Sequence, residues 1–493
     1  MPLNPRHPVI VGAAQSVQRV EDPHDAVEPI AMMERALRAA SEDAGAPQLL
    51  EALDAIYIPR GIWKYGNPGA MLAERVGATS AKNAVGIISG SIVQVMIDRA
   101  CSEIAAGEHD IIAIVGGESE NSKRRLRKID PDAVWDDETP GEPDEQIGIY
   151  RAGGFLETEL KAGAMKPSAC FSLCETALRY ERGESPAAHR IRISELASRL
   201  SEVASKNPSA WIQRHISAEE IRTPTAENRM VNYPYTKLMT SNIAVDQSAA
   251  IVIMSDEAAR RFGIAEKNRV YLHAATEMNF DTHLSERMEL QRHPGMHLAA
   301  QRILELSGAT TGDLRHVDLY SCFPFAVQAS AEALGLDESA VLSVTGGLTF
   351  SGGPFGNYVI QAMARMVEML RETPGELGLV GSVGGSFSKF AYGLYSTAPG
   401  ETAEPLHDDL SSAYGAMPKR EFLAEYEGAA RVESYTVHVK AEGPSRATFS
   451  TLTERGERVW ARSEDASVMD ALLADEEACG RDAYIRDGII RLE

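Results

Sequence analysis

Apolar residues follow two spacings along the chain and predict strands that alternate with helices. Short apolar runs at residues 9–11 and 111–115 are typical of buried strands. Longer stretches with helical periodicity cover residues 29–44 and 92–106, and each ends at a glycine. Strands that alternate with helices favour an α/β fold in which right-handed helical crossovers join parallel strands.

One order of features occurs twice, which favours two copies of a single α/β unit. Residues 86–119 contain a glycine- and serine-rich loop, an apolar helix, a Gly-Glu turn, an apolar strand and a Gly-Gly pair. Residues 346–386 contain the same features in the same order. Agreement over more than thirty residues favours an internal duplication over a chance match of short glycine loops.

A more polar region lies between the two copies. Its first part, residues 120–148, carries runs of charge and several prolines and predicts a solvated loop. The later part has helical patterns and aromatic residues and predicts a packed cap over the site. We therefore expect a loop or cap insertion at about residues 119–240, within a first half that covers residues 1–265.

The rest of the chain divides at two changes of composition. A second half is expected at residues 266–398. Residues 399–418 are rich in proline, glycine, serine and acidic residues and predict a linker. Beyond them, β-rich segments and a hairpin-like turn at residues 454–456 predict a small, separate, mostly β domain at residues 419–493.

Length and charge restrict the classes of function. The chain has 493 residues, enough for two or three domains, and its formal net charge of −22 argues against nucleic acid or an anionic membrane surface as a partner. Its apolar runs are too short to span a bilayer and no signal-peptide pattern is present, so no membrane insertion is expected. Five scattered cysteines do not form a disulfide framework, which favours a reducing cytoplasm.

Several common motifs are missing from the sequence. It contains no GxxxxGK[ST] phosphate loop and no GxSxG nucleophile elbow. His293 and His297 have the spacing of metal ligands, but the Pro-Gly pair between them disfavours a helical zinc site, so no metal is expected. Cys170 and Cys174 lie one helical turn apart, and core packing explains their spacing.

The glycine- and serine-rich loops are the best candidates for a ligand site. A backbone that closely approaches a ligand needs glycine, and residues 346–356 hold more glycines than a structural turn usually requires. A helix that begins at such a loop directs amide donors and a partial positive charge towards it. This arrangement can lower the pKa of a thiol or stabilise an enolate or thioester oxyanion. A tight strand-to-helix connection is the alternative explanation.

Four motifs carry a resemblance to a known family. Residues 89–91 (Ser-Gly-Ser) open an apolar helix, and residues 116–119 (Gly-Gly-Glu-Ser) end the next strand. Residues 245–250 (Val-Asp-Gln-Ser-Ala-Ala) precede Ser-Asp-Glu-Ala-Ala, and residues 352–356 (Gly-Gly-Pro-Phe-Gly) follow an earlier Gly-Gly pair. These motifs resemble those of thiolases, and the resemblance covers about residues 8–398.

Two further segments narrow the resemblance. Residues 228–230 (Asn-Arg-Met) and 233–237 (Tyr-Pro-Tyr-Thr-Lys), with the β-rich tail, resemble the thiolase-like proteins of type 1, which carry an additional C-terminal domain and are often labelled acetyl-CoA acetyltransferases. The resemblance implies a thiolase fold, with two duplicated β-α-β halves in a layered α/β/α/β/α arrangement. A loop domain and a small, mostly β C-terminal domain complete the expected architecture.

The resemblance also implies an acyl-CoA-dependent enzyme of acyl or lipid metabolism, of the acyltransferase type. Coenzyme A or acyl-CoA would be its substrate or ligand, and no permanently bound cofactor is expected. Coenzyme A is an anion, so its phosphates need a local basic patch on this acidic chain. A homodimer is compatible with the sequence. The positions implied in substrate or coenzyme A binding are Asn242, Ser248, Phe325, Gly352, Gly384 and Gly385.

The aligned catalytic positions all differ from the thiolase pattern. Ser89 stands where thiolases have the nucleophilic cysteine, and Ser382 where they have the second, acid/base cysteine. Cys322 replaces an asparagine that holds a catalytic water, and Gly353 replaces the histidine of the Gly-His-Pro motif. These four residues are the catalytic candidates. The surrounding glycines remain, which favours a ligand site with altered chemistry over a decayed one.

The substitutions favour chemistry that does not transfer an acyl group. Thiolases use a thiolate to carry the acyl group and a second thiol to move the α-proton, whereas serine without an adjacent base is a poor nucleophile. Backbone amides near Ser89 and residues 382–385 would still polarise a thioester carbonyl. That suits cleavage or formation of a β-hydroxyacyl-CoA, as in aldolases built from thiolase-like subunits with a small β-barrel partner.

Two alternatives stay open, a non-catalytic acyl-CoA-binding protein and a nucleophilic role for Cys322. Acid/base work would fall to residues near the motifs, although each of them is individually explained by a structural role. They are Tyr320, Tyr358, Lys389 and Tyr392.

Overall fold

The structure is a computed structural model that describes residues 4–135, 139–149, 156–280, 282–400, 402 and 405–493. Residues 136–138 of the predicted loop and residues 401, 403 and 404 of the predicted linker lie outside this part. The first half and its insertion consist of β1 (Pro8–Val17), α1 (Pro29–Asp43), β2 (Ala55–Ile58), α2 (Pro68–Val76), β3 (Lys82–Gly86), α3 (Ile92–Ala106), β4 (Ile111–Ser119), α4 (Glu120–Ile129), β5 (Glu145–Ile147), α5 (Glu157–Ala162), α6 (Pro167–Glu181), α7 (Pro186–Lys206), α8 (Ala218–Arg222), β6 (Met230–Asn232), β7 (Tyr235–Thr236), β8 (Asp246–Ser255) and α9 (Asp256–Arg261).

The second half and the tail follow the same alternation at first and then become rich in strands. They consist of β9 (Tyr271–Asn279), α10 (Pro294–Ser307), β10 (Leu314–Asp318), α11 (Pro324–Leu334), α12 (Gly347–Phe350), α13 (Tyr358–Glu372), β11 (Leu377–Gly384), β12 (Lys389–Ser396), β13 (Leu406–Asp409), α14 (Ser411–Gly415), β14 (Phe422–Leu423), β15 (Gly428–Lys440), β16 (Gly443–Leu452), β17 (Arg458–Ser463), α15 (Ala466–Leu473), β18 (Asp482–Arg486) and β19 (Ile489–Leu492). No helix in the described part of the chain is both long enough and apolar enough to cross a membrane.

Two sheets repeat one strand order. The first runs β1-β8-β4-β2-β3-β5 and the second β13-β9-β12-β11-β10. Strands β1, β8, β4 and β2 correspond to β9, β12, β11 and β10, because each set pairs antiparallel, antiparallel and then parallel. The helix-to-strand units α3–β4 and α13–β11 occupy equivalent places in these sets. The predicted duplication is confirmed, although the strand of each unit has one antiparallel neighbour, β8 for β4 and β12 for β11, where the sequence predicted parallel strands.

The layers follow from strands that are buried on both faces. In β4, Ile111, Ala113 and Val115 pack into the same cluster as α1, whereas Ile112 and Ile114 pack into the cluster that contains α3. A strand covered on both faces needs an unbroken apolar run, which is the pattern of residues 111–115. Helices α3 and α13 lie between the two sheets, α1 covers the outer face of the first sheet, and α10 packs on the second. This is the predicted α/β/α/β/α arrangement.

The prediction of a solvated loop at residues 120–148 is wrong for two parts of that segment. Its first ten residues form α4, and its end forms β5, which pairs in parallel with β3 at the edge of the first sheet. Glu120 lies 3.5 Å from Lys123 and 2.9 Å from Arg124, so its carboxylate forms ion pairs with residues one turn along the helix. The charge run that suggested a loop therefore contributes to a helix.

The C-terminal domain is a closed barrel of five strands. Strand β15 pairs with β16, β16 with β17, β17 with β19, β19 with β18, and β18 again with β15. Helix α15 connects β17 to β18. This strand order is that of an OB-type barrel. Its interior is an apolar cluster distinct from those of the two sheets.

The barrel is joined to the rest of the chain more closely than a linker and a separate domain would suggest. Strand β13, inside the predicted linker, pairs in parallel with β9 of the second sheet. Strand β6 of the insertion pairs with β15 of the barrel, through Asn232 and His438. The boundaries at residues 265, 398 and 418 remain predictions.

Candidate active site

The end of β11 contacts the loop that opens α3. A β-carbon on Gly384 would lie 2.1 Å from Ser89 Oγ and 3.2 Å from the backbone nitrogen of Gly90. A β-carbon on Gly90 would lie 2.1 Å from the carbonyl oxygen of Val383. The backbone contact excludes a side chain at Gly90, and a side chain at Gly384 would have to displace the Ser89 hydroxyl. The two duplicated halves thus meet at Ser89 and Gly384.

Neither serine of the predicted set is activated. Ser89 Oγ lies 2.8 Å from Ser91 Oγ, and it accepts a hydrogen bond from the Ser91 backbone N–H. The Ser382 hydroxyl donates to the carbonyl of Ala391, 3.0 Å away on the neighbouring strand. Within the described residues, neither hydroxyl has a carboxylate or imidazole partner that could take its proton.

Cys322 is buried, and its thiol is protonated at neutral pH. Burial raises the pKa of the Cys322 thiol well above its usual value, while nearby backbone donors lower it by less. The Cys322 carbonyl accepts from both the backbone N–H and the hydroxyl of Ser241, at 3.0 and 3.2 Å. These contacts fix the position of the residue, and the high thiol pKa disfavours a nucleophilic role.

Leu348 occupies the space into which a side chain at residue 353 would project. A β-carbon on Gly353 would lie 3.3 Å from the carbonyl oxygen of Leu348 and 3.4 Å from its side chain. The Gly353 backbone N–H donates to the carbonyl of Asn242, and the Asn242 N–H donates to the carbonyl of Leu348. A side chain at residue 353 would therefore press against Leu348, which disfavours an imidazole at this position.

Backbone amides remain available at the junction. Gly385 is exposed and has a φ of +62°, and Gly90 is partly exposed just before the first turn of α3. Neither of these two N–H groups donates a hydrogen bond to any residue that the structure describes. Amide donors beside a helix N-terminus stabilise negative charge, so this junction can polarise a thioester carbonyl.

Of the four acid/base candidates, Tyr320 lies at this junction. A β-carbon on Gly90 would be 2.7 Å from Tyr320 Oη. Burial, with a smaller contribution from Cys322, raises the pKa of the Tyr320 phenol, so it stays protonated at neutral pH and can act as a proton donor. The other three have structural contacts: Tyr358 donates to Asp318 at 2.9 Å, Lys389 donates to the carbonyl of Ile149 at 3.4 Å, and Tyr392 pairs across the sheet with Gly381.

A cavity of about 560 Å³ lies beside these segments and is lined by cations. Its wall includes Ser241 and Asn242, the residues that bond to Cys322 and Gly353. Its positively charged lining residues are Arg124, Arg229 and Lys237, against a single acidic one, Glu227. This local excess of positive charge contrasts with the net charge of −22 on the whole chain.

The six predicted coenzyme A positions separate into two groups. Asn242 lines the cavity, Gly352 precedes Gly353, and Gly384 and Gly385 form the junction with Ser89. Ser248 and Phe325, in contrast, have no exposed surface. The Ser248 hydroxyl donates to the carbonyl of Met32, and the Phe325 ring packs 4.8 Å from that of Phe387. We therefore leave Ser248 and Phe325 out of the proposed binding surface.

The histidine pair has a structural role. His293 is the N-cap of α10, where its Nδ1 accepts from the N–H of Gly295 at 3.2 Å. No group of three histidine, cysteine or acidic residues stands close enough to hold a metal ion in the ranges the structure describes. Cys170 and Cys174 are buried on α6.

Comparison with known proteins agrees with this geometry. Residues 409–488 match the family described as the thiolase-like protein type 1 additional C-terminal domain. The crystal structure of a monomeric SCP2-thiolase-like protein type 1 from Mycobacterium smegmatis aligns over 100% of both chains, with a TM-score of 0.84 and 29% identity. The chain has the thiolase fold. It resembles the type 1 thiolase-like proteins over its full length, as the sequence motifs and the tail predict.

Two further proteins are similar to part of the chain. An acetyl-CoA acetyltransferase of Methanothermobacter thermautotrophicus is 24% identical over 396 residues, which are 74% of this chain and 94% of that protein. A chain of the Ltp2-ChsH2(DUF35) aldolase aligns over 79% of this chain and 98% of its own length, with a TM-score of 0.59 and 18% identity.

The basic cavity is the part of the site that motif analysis does not find. Its three cations come from α4, from the segment before β6 and from the segment after β7, more than a hundred residues apart at the extremes. No local pattern brings such positions together. The requirement for a basic patch follows from the charge of coenzyme A, but the residues that form it do not.

Proposed function

We propose that the protein binds an acyl-CoA thioester and cleaves or forms a carbon–carbon bond next to it, without an acyl-enzyme intermediate. The observation that carries this proposal is the junction between Ser89 and Gly384. It offers unbonded amides to a thioester oxygen, whereas the nearest hydroxyls have no base and the nearest thiol is protonated.

The basic cavity supports the choice of ligand. Arg229 and Lys237 are exposed on its wall, and the Lys237 ammonium makes no ion pair with a described residue, so both cations can approach phosphate oxygens. Asn242 at the other end of the wall reaches Gly353 through a hydrogen bond of 2.9 Å. A basic cavity of this kind favours a ligand that carries phosphates, as coenzyme A esters do.

The chemistry can be written with this chain's own residues. In the cleavage direction the β-hydroxyl of a β-hydroxyacyl-CoA gives its proton to water, the Cα–Cβ bond breaks to leave the carbonyl product, and the bonding pair forms the enolate of the shortened acyl-CoA. The Gly90 and Gly385 amides stabilise the enolate oxygen. Tyr320, whose phenol stays protonated, is placed to give a proton to Cα, and it recovers that proton from water. The products are an aldehyde or ketone and an acyl-CoA, and no other reactant is needed.

The fused barrel supports the same reaction class. The Ltp2-ChsH2(DUF35) protein, one chain of which is similar to part of this chain, is an aldolase. In this chain a barrel is part of the same polypeptide and packs against α5 and α6. We therefore place the protein in acyl-CoA metabolism. A reducing, cytoplasmic location belongs to the same proposal, because all five cysteines are unpaired.

An acyltransferase is the second candidate, because the curated relative named above is an acetyl-CoA acetyltransferase. That reaction needs a nucleophile, which would have to be Cys322 despite its raised thiol pKa. A non-catalytic acyl-CoA-binding protein is the third candidate.

Two incubations and a binding measurement separate the candidates. Acetoacetyl-CoA with free coenzyme A should show no loss of thioester, whereas a panel of β-hydroxyacyl-CoA esters should release a carbonyl compound. Thiolysis of acetoacetyl-CoA would establish the acyltransferase, and tight ester binding with neither reaction would establish the binding protein. Failure to bind any coenzyme A ester, measured by calorimetry, would remove all three.

A further inference from the structure

A buried arginine of the barrel holds a loop of the second half. Arg458, on β17, is fully buried, and its Nε and Nη2 donate to the Glu433 carboxylate at 2.8 and 2.7 Å. Its Nη1 donates to three backbone carbonyls, those of Leu284 at 2.9 Å, Ser285 at 3.0 Å and Arg287 at 2.5 Å. A guanidinium whose donors are divided in this way fixes the loop relative to the barrel.

The loop is also held from the side. Trp460 Nε1, on the same barrel strand, donates to Ser285 Oγ at 2.8 Å. The Ser285 N–H and hydroxyl both donate to the Glu159 carboxylate, at 2.7 and 2.6 Å. Residues 284–287 therefore have a single position, set by the barrel on one side and by α5 on the other.

The last residue of this loop reaches the turn that follows β11. Arg287 Nη2 donates to the carbonyl of Phe387 at 2.7 Å and also to that of Ser386. Its guanidinium lies 5.6 Å from the centre of the Phe387 ring. Phe387 has a φ of +58°, a conformation that costs a non-glycine residue free energy, so the contacts around it must maintain the turn.

These contacts form one continuous connection. The barrel holds the backbone of Arg287 through Arg458, and the side chain of Arg287 holds the turn at residues 386–387, directly after the Gly384–Gly385 pair. A shift of the loop would move both ends of Arg287 together. The amide of Gly385 is therefore oriented by a residue of the barrel.

We propose that Arg458 is a positioning residue, through which the barrel holds the Gly384–Gly385 turn in the conformation that faces the thioester. The catalytic consequence rests on the proposed function, whereas the ordering of the turn does not. On this account the C-terminal barrel completes the site.

Amide hydrogen exchange tests the ordering directly in the full chain. Arg458→Met keeps the volume and removes the donors, and Arg458→Lys restores one cation. The matched control is Glu477→Gln, because Glu477 of the barrel pairs with the buried Arg179 on α6 and does not touch the loop. Arg458→Met should accelerate exchange in peptides that cover residues 380–390 by about tenfold or more, with Arg458→Lys intermediate. Glu477→Gln should leave those peptides unchanged even if it lowers the melting temperature.

Equal acceleration of amide exchange in Glu477→Gln, or no acceleration in Arg458→Met, would overturn the proposal. If Arg458→Met does not fold, the exchange rates of Arg458→Lys decide in the same way.

Steady-state kinetics with an ester that the wild-type protein turns over is the second test. Arg458→Met should lower kcat by about tenfold while KM changes by less than about twofold, and Arg458→Lys should recover part of the loss. A fall in kcat of the same size in Glu477→Gln would also overturn it. If the wild-type protein binds no coenzyme A ester, the proposed function fails, and the exchange measurement still decides the ordering.

Discussion

The hydroxyl oxygen of Ser89 lies only 2.1 Å from the position that a β-carbon on Gly384 would take. This contact joins the two duplicated halves at the point where both catalytic cysteines of a thiolase would be placed by resemblance. Gly384→Ala must therefore displace the Ser89 hydroxyl and press on the Gly90 backbone. We expect the turnover of a coenzyme A ester to fall by about a hundredfold or more while the melting temperature changes little.

Gly312→Ala is the control for that substitution. A β-carbon on Gly312 would have its nearest neighbour, Thr310 Oγ1, at 3.7 Å, so the change is sterically neutral. Turnover should be unaffected. A Gly384→Ala variant as active as the control would show that the junction is not part of the site.

Ser89→Ala should retain turnover within about threefold of the wild type. Among the residues that the structure describes, the Ser89 hydroxyl has only the Ser91 hydroxyl and the Ser91 backbone N–H as hydrogen-bond partners, and neither can accept its proton at neutral pH. Steady-state kinetics with the same ester checks this. A loss of several hundredfold would identify Ser89 as a nucleophile and would favour acyl transfer.

Cys322 should resist alkylation at neutral pH. Because burial raises the pKa of its thiol, the thiolate fraction at pH 7 is very small, and it grows only as the pH approaches the raised pKa. Iodoacetamide labelling at pH 7 and pH 9.5, followed by peptide mass spectrometry, measures how fast the Cys322 thiol reacts. Rapid labelling at pH 7, together with loss of activity in Cys322→Ser, would restore the nucleophile hypothesis.

Lys237→Ala and Arg229→Ala should each weaken binding of a coenzyme A ester by about three- to tenfold, because each removes one cation from the cavity wall. The effect should shrink in 0.5 M salt, which screens exposed charges. Lys161→Ala is the control, since Lys161 is an exposed lysine of α5 that pairs with Glu157. Calorimetric titration of all three variants should show a loss confined to the cavity residues.

The cluster of His407, Glu277 and the buried Asp98 predicts how stability depends on pH. A hydrogen bond with Glu277 raises the pKa of His407 to about 9, and burial raises the pKa of Asp98 to about 8. The folded state thus binds protons that the unfolded state releases, so stability contributed by His407 is complete below about pH 6.5 and is lost as the pH rises through about 9. Because the pKa of Asp98 is also raised, its contribution to stability likewise falls as the pH rises towards about 8. The melting temperature should fall between pH 7 and pH 9.5, and less so in His407→Gln; an equal fall in the variant would show that His407 does not contribute.

Local periodicity predicts most of the fold, because its signals are local. Residues 92–106 form α3 as the apolar pattern indicates, and the glycine after them ends the helix in the left-handed conformation. The duplication is also visible, since each copy keeps its loop, helix and strand in order. The charged segment that became α4 is different, because its ion pairs only form once it is helical.

The site could be predicted only in part, for a physical reason. Motifs identify positions such as Ser89 and Gly353, and glycine in a loop signals close approach. They do not show that Leu348 fills the space beside Gly353 or that Arg458 reaches the turn through Arg287. Those relationships join residues far apart in sequence, and tertiary packing alone creates them.

Cleavage of a β-hydroxyacyl-CoA in D₂O, followed by mass spectrometry of both products and protein, tests the central claim most directly. The account predicts a released aldehyde or ketone, an acyl-CoA product with one deuterium at Cα, and a protein of unchanged mass. An acyl adduct on Ser89 or Cys322, or a bound ester that yields no carbonyl product, would contradict it.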